Sequence, residues 1–141
     1  MTRLQPYVPT ILRIALGVIF LGHAYAKAVN YTFPGSEQFF AAHGFPPWSV
    51  YPVFAAEVAG GVALIAGLRV RWVSLALIPV MLGAITPHLG NGMDFSSPGG
   101  GWEFPVLVLL LLGVQHVLGA GALSVESLFL RGRTPVSSAA H

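Results

Sequence analysis

The sequence predicts an all-α membrane protein, a four-transmembrane-helix bundle with both termini cytoplasmic. Only 9% of the 141 residues are charged and 55% are hydrophobic, with a mean hydropathy of +0.73, whereas soluble domains carry about 25% charged residues. Four apolar stretches are long enough for a hydrocarbon core that takes roughly 20 helical residues to cross. The arginines outside these stretches fall on one side of the membrane if the spans alternate.

We expect the transmembrane helices near residues 8–27, 50–68, 70–88 and 103–121. The second and third meet at the short stretch Arg69, Val70 and Arg71, which predicts a tight antiparallel hairpin. The fourth follows a Gly/Pro/Ser-rich loop and ends at glycines, which suit a helix C-terminus. Residues 1–130 are therefore predicted to be one four-helix membrane domain, and 131–141 a disordered Ser/Ala-rich tail.

Two shorter helices are expected outside the spans. The string SEQFFAAHGFPPW predicts an interfacial helix ended by Gly44, with aromatic side chains at the level of the lipid headgroups. The string ALSVESLFLRGRT predicts a short amphipathic helix lying on the membrane.

Charge placement predicts the orientation, because cytoplasmic loops retain Lys and Arg. One side receives Arg3, Arg69, Arg71, Arg131 and Arg133, and the other receives Glu37, Asp94 and Glu103. We therefore expect a multi-pass protein of the bacterial inner membrane, with the lipid bilayer as its surroundings. The pI of 9.4 comes from few groups, and no nucleic-acid partner is expected.

The first apolar stretch also has features of a cleavable signal peptide. Arg3 precedes it, and the small residues Ala24 and Ala26 lie near its end. Removing it would leave three spans, and the polar groups of the other helices would lack partners. We therefore expect the segment to be retained as the first helix.

Polar residues are expected to converge at the outer ends of the helices. An ionisable group at the centre of a span costs at least about 2.5 kcal/mol, so it needs a partner or a purpose. Glu57 lies about two turns below the outer end of the second helix. His23 and Lys27 share a face of the first helix. His88 ends the third helix, and Glu103 opens the fourth directly after Trp102.

Two interpretations of this convergence stay open. One is an internal ion-pair network, in which Lys27 neutralises Glu57 or Glu103 and the histidines donate hydrogen bonds. The other is a ligand or cofactor pocket lined by the same residues. Two imidazoles and two carboxylates are adequate metal ligands, but no helix carries two of them at HxxxH or ExxH spacing, so no metal site is predicted.

The absence of cysteine excludes disulfides and a thiol relay on this chain.

A second polar contact is expected nearer the inner side. Arg13 lies inside the first helix at the depth of Gln115 and His116 on the fourth. The alternative is that Arg13 extends to the inner headgroups.

The chain resembles the DoxX family of small bacterial membrane proteins from about Leu12 to Leu128. The matching pieces are LRIALGVIFLGHAYAK, EVAGGVALIAGLRVR, the helix ending in His88, WEFPVLVL and GAGALSVES. The resemblance implies a four-helix membrane bundle, with characteristic polar positions at Arg13, His23, Lys27, Glu57, Arg69, His88 and Glu103. It also implies a redox setting, since some relatives are subunits of a thiosulfate:quinone oxidoreductase and others belong to membrane redox-stress complexes.

The first functional hypothesis is a membrane subunit associated with quinone-linked redox chemistry or with oxidative or sulfur stress. A quinone would be its cofactor, and a protein of a membrane redox complex its partner. Glu57 would accept protons, His23 and His88 would donate hydrogen bonds to the quinone, and Lys27 would stabilise its reduced form. Trp102 and Glu103 would complete the pocket.

The second hypothesis is a non-enzymatic accessory or assembly protein that docks a membrane or periplasmic partner. Whether the chain is itself an enzyme is left open by the sequence. A transporter is less favoured, because no span is interrupted in the paired manner of inverted repeats.

Overall fold

The protein is all-helical in the part described by the computed structural model, residues 3–131. Six α-helices occur in this range: α1 (Val8–Tyr25), α2 (Thr32–Ala42), α3 (Val50–Ala66), α4 (Val70–Ile85), α5 (Glu103–Leu118) and α6 (Val125–Arg131). No strand occurs between residues 3 and 131, and the predicted all-α class is confirmed. Of the tail predicted to be disordered, residues 132–141 lie outside the described range.

Three helical segments are long and apolar enough to cross a membrane: Gln5–Asn30, Pro47–Ala66 and Val70–Asn91. The predicted fourth helix is also present as α5, but it has 16 residues, a length of about 24 Å. It ends at Leu118 rather than at residue 121 because Gly119 adopts φ 78° and ψ −158°, a conformation essentially confined to glycine.

The four long helices form a ring, in which α1 packs against α3 and α5, and α4 packs against α5 and α3. Their shared core is apolar and consists of Leu16, Phe20, Leu64, Val70, Leu77, Met81, Val108 and Leu112. We call the end of the ring with residues 3–8, 67–69 and 119–131 the terminal end. The opposite end, where segments 26–49 and 86–102 connect the helices, is the loop end.

The predicted tight turn between the second and third helices is confirmed at the terminal end. Helix α3 ends where Gly67 adopts a left-handed conformation with φ 74°. The N–H groups of Gly67 and Leu68 both donate to the carbonyl oxygen of Ala63, at 2.9 Å each. These bonds satisfy the exposed end of α3 and allow α4 to begin at Val70. At the loop end, α2 confirms that the predicted interfacial segment is helical, with Gly44 at φ 82° just beyond it.

Helices α1 and α3 cross at a pair of glycines. A Cβ atom built on Gly17 would lie 2.7 Å from the carbonyl oxygen of Gly61, and one on Gly61 would lie 3.0 Å from that of Gly17. Gly60 instead faces α4, where a Cβ built on it would lie 2.9 Å from the Leu77 side chain. Small residues permit this approach in lipid, where helix association depends on close packing.

The crossing can be tested with two glycine substitutions in the long helices. We expect Gly61→Ala to lower the free energy of unfolding by about 1–3 kcal/mol, because its methyl group overlaps α1. Gly22→Ala is the matched control, since a Cβ there meets no atom within 4 Å, and alanine favours the helix by up to about 1 kcal/mol. Thermal unfolding in detergent distinguishes the two, and equal stability of both variants would contradict the crossing.

Candidate functional site

The clearest polar contact at the loop end joins Lys27 and Glu57. The Nζ atom of Lys27 lies 2.7 Å from Oε1 and 2.9 Å from Oε2 of Glu57. The side chains are 17% and 5% exposed, respectively. It is the only ion pair between side chains of the described residues. Of the two pairings predicted for Lys27, the structure therefore forms the one with Glu57 and not the one with Glu103.

Lys27 is positioned by a π-helical turn, Ala26–Asn30, that continues α1. Such turns are rare and are often found at functional sites. The hydroxyl of Ser36, which is buried on α2, donates to the carbonyl oxygen of Lys27 at 3.1 Å. Helix α2 therefore fixes the backbone that carries the lysine, while Glu57 fixes its ammonium group.

His88 lies in the 3-10 helix Thr86–Asn91 that follows α4. Its side chain binds the loop 92–102, which leads to α5. Its Nδ1 atom lies 3.0 Å from the carbonyl oxygen of Gly100 and 3.1 Å from that of Gly99. The Nδ2 atom of Asn91 donates to the same two oxygens at 3.1 Å. The Nδ1 atom of His88 donates the hydrogen bond, because a carbonyl oxygen can only accept one. His88 therefore binds the backbone of the loop.

Glu103 contacts the same loop from the start of α5. Its Oε1 atom accepts the backbone N–H of Phe95 at 2.8 Å. The N–H of Trp102 donates to the carbonyl oxygen of Gly92 at 3.2 Å. The backbone N–H and hydroxyl of Ser96 both donate to Asp94 at 2.8 Å, and these bonds lower the pKa of the Asp94 carboxyl. The loop 92–102 is thus folded onto itself and onto the bundle.

A groove of about 500 Å³ opens beside this loop and is lined by Phe95, Glu103, Phe104 and Leu107. The ring of His23 stacks on Phe104, with 6.2 Å between centroids and 21° between planes. The Nδ1 atom of His23 donates to the carbonyl oxygen of Ile19 at 2.8 Å, which leaves Nε2 as its free ring nitrogen.

Sequence reasoning did not single out Phe95, Phe104 or Leu107. The spacing of Glu103, Phe104 and Leu107 at the start of an apolar helix is a signal that could have indicated the α5 wall. Phe95 comes from the fold of the loop, and no local pattern marks it.

The six predicted site residues are therefore distributed over three contacts. Lys27 and Glu57 form an ion pair, His23 and Glu103 lie beside the groove, and His88 is bonded to the loop whose last residue before α5 is Trp102. Glu103 also accepts a backbone N–H of this loop, but no hydrogen bond between two side chains of the described residues joins the three contacts. Nor do residues 3–131 contain a group of three or more His, Asp or Glu side chains placed to hold a metal ion.

At the terminal end, Arg13 is buried, with 1% of its surface exposed. Its Nε donates to the carbonyl oxygen of Ala120 at 2.9 Å and its Nη2 to that of Leu123 at 2.7 Å. Its Nη1 donates to Leu64 at 2.9 Å and also to Ile65. The guanidinium thus binds the end of α3 and segment 119–124 together.

Neither arrangement expected for Arg13 is present. Gln115 uses its Nε2 to donate to the carbonyl oxygen of Gly119 at 2.6 Å. The Nδ1 of His116 lies 2.9 Å from the carbonyl oxygen of Arg71. The backbone carbonyls at the end of α3 took the place of the expected side-chain partners, because a helix leaves its last four carbonyls without helical partners.

Apolar helices with large side chains on their outer faces, an ion pair buried at one end and an arginine buried at the other define a multi-pass membrane protein. The profile of the DoxX family matches residues 8–89, more than half of the chain, and the chain belongs to this family. The matched range contains Arg13, His23, Lys27, Glu57 and His88.

One similar protein is known from Bacillus subtilis (strain 168), where it is named "Putative oxidoreductase CatD". It is 29% identical over 129 residues, which cover 87% of each chain. No solved structure matches the chain.

Proposed function

We propose that this protein is a bacterial inner-membrane subunit of a quinone-linked redox system, and that a quinone headgroup binds in the loop-end groove. The observation that carries the proposal is the groove itself, in which aromatic walls meet one carboxylate, with His23 stacked on the Phe104 wall. Membership of the DoxX family and the name of the Bacillus subtilis relative support a redox setting.

The proposal includes four membrane spans and cytoplasmic termini, with residues 1–130 as one domain. Helix α5 packs against α1 and α4, and its Leu110 and Val117 are 63% and 71% exposed on an apolar face. An exposed apolar face on a helix between two span-length helices fits contact with lipid. Placing Arg69 and Arg71 in the cytoplasm satisfies the positive-inside rule.

The groove suits a planar ring with polar oxygens at its edge. Phe95 and Phe104 offer faces and edges for stacking, and Glu103 is the carboxylate of the lining. The Nδ1 atom of His23 donates to the carbonyl oxygen of Ile19, so Nε2 is the ring nitrogen left to form a hydrogen bond with a quinone or quinol oxygen. A bound quinone would supply two-electron chemistry, with a partner protein as the other redox component.

The other predicted site residues receive different roles in this proposal. Both carboxylate oxygens of Glu57 are bound by Lys27, so a role for Glu57 as proton acceptor, or for Lys27 as a stabilising charge, requires the pair to open. His88 acts through the loop, since its Nδ1 is engaged with Gly99 and Gly100.

Quinone binding can be measured by tryptophan fluorescence quenching in nanodiscs, using ubiquinone and menaquinone analogues with short tails. We expect Phe104→Ala to weaken binding about tenfold through lost stacking and apolar contact. Phe129→Ala is the matched control, because Phe129 is 71% exposed at the opposite end. Absence of binding, or equal binding by both variants, would contradict the proposal.

An accessory or assembly function is the second candidate, and it is favoured by the aromatic side chains of the loop end. Tyr31, Trp48 and Phe95 are 68%, 67% and 67% exposed, while His88 and Glu103 are used to hold the loop. Two results together would support this candidate. The protein should bind no quinone in the same titration, and it should be purified in mild detergent with an equimolar amount of a second protein. The Trp48→Ala variant should no longer retain that second protein.

A further inference from the structure

The basic side chains of the described residues differ sharply in their partners. Lys27 is paired with a carboxylate, and Arg13 is saturated by four carbonyl oxygens. The guanidinium groups of Arg69 and Arg71, by contrast, make no hydrogen bond or ion pair to residues 3–131. Both residues are exposed at the terminal end.

Arg71 lies where α4 begins and α5 ends. A Cβ atom built on Gly119 would lie 3.1 Å from its Nε atom, so the side chain extends over the end of α5. His116 binds the Arg71 carbonyl oxygen and ties the two helices together at this point. Trp72 is 70% exposed, and an exposed tryptophan at the end of a span lies at the level of the headgroups. The free guanidinium is therefore at phosphate depth.

An apolar groove of about 410 Å³ runs along the exposed face of α5 and is lined by Leu110, Gly113, Val114, Val117 and Leu118. A Cβ built on Gly113 would meet no atom within 4 Å. The missing side chain of Gly113 therefore leaves open space on the exposed face of α5. Its last lining residue, Leu118, directly precedes Gly119, the residue beside which the Arg71 side chain lies. A cation and an apolar groove therefore adjoin at this end of α5.

We infer that this corner is a binding site for one anionic phospholipid, with the phosphate on Arg71 and an acyl chain along the α5 groove. An anionic headgroup is favoured over a zwitterionic one by charge. Of the five acidic residues in the chain, only Glu126 lies at the terminal end, where Arg69 adds to the positive field of Arg71. The site is at the opposite end from the proposed quinone groove and does not depend on it.

The test uses the full chain, delipidated in detergent, with native mass spectrometry during titration with phosphatidylglycerol or phosphatidylcholine. We expect tighter binding of phosphatidylglycerol, weakened about fivefold by Arg71→Gln. Arg3→Gln is the charge-matched control, since Arg3 is exposed at the same end, and it should bind like wild type. Gly113→Leu fills the groove and should weaken binding while keeping both arginines.

Several outcomes would overturn the inference. Equal affinity for the two lipids would remove the headgroup preference, and equal loss in Arg71→Gln and Arg3→Gln would remove the site. Wild-type binding by Gly113→Leu would remove the role of the groove. Displacement of phosphatidylglycerol by inorganic phosphate at equal concentration would show an anion site without a lipid.

Discussion

Replacing Arg13 with leucine should lower the free energy of unfolding by about 3–5 kcal/mol, because it removes a charged donor from four carbonyl oxygens. Of these four contacts, the one to Leu64 is buried and the other three are partly buried, and a buried carbonyl left unsatisfied costs about 1–3 kcal/mol. Arg13→Lys should cause an intermediate loss. One ammonium nitrogen keeps the charge but cannot reach both Leu64 on α3 and Leu123 beyond α5, as the planar guanidinium does.

Thermal unfolding in detergent measures this loss, and hydrogen exchange locates it. Exchange should increase at Ala122, whose N–H donates to the carbonyl oxygen of Pro6 at 2.9 Å, because Arg13 no longer holds segment 119–124. Arg69→Gln is the control, since it removes an exposed guanidinium from the same end. An Arg13→Leu variant as stable as Arg69→Gln would show that the buried contacts contribute nothing.

Replacing Lys27 with methionine should destabilise the protein by about 3–5 kcal/mol, because it leaves the buried Glu57 carboxylate without a partner. Glu57→Gln should cost less. Lys27 is 17% exposed, and a long side chain released from its pair can extend toward the headgroups. The double variant Lys27→Met with Glu57→Gln should recover much of the loss, since neither charge then remains buried.

A double-mutant cycle in detergent gives the coupling energy of the pair. Glu37→Gln serves as the control, because Glu37 is a loop-end carboxyl on α2 that forms no ion pair in the described range. Strict additivity of the two single variants would contradict a direct interaction. If the double variant is stable yet fails to bind quinone, the pair has a role in the site beyond stability.

An ion pair of Lys27 with Glu57 or Glu103 could be predicted from the sequence because charges are scarce, and the structure decides for Glu57. Only a few ionisable groups lie within spans, and alternating topology brings opposite charges to one end. The roles of His88 and Glu103 could not be predicted in this way. Their partners are the backbone groups of Gly100 and Phe95, which no side-chain pattern marks and which exist only once the loop 92–102 has folded.

Composition and local turn chemistry by themselves determined that this protein is a helical membrane protein and where its four long helices begin, while each of these α-helices ends two or three residues before the end of its predicted span. Hydropathy and the left-handed conformation of a residue such as Gly67 are local properties, so they can be read along the chain. Only the tertiary structure decided which groups meet. Arg13 binds carbonyls at Leu64 and Ala120, 51 and 107 residues away. Those oxygens are acceptors only because α3 ends, and segment 119–124 turns back, at the same depth in the bundle.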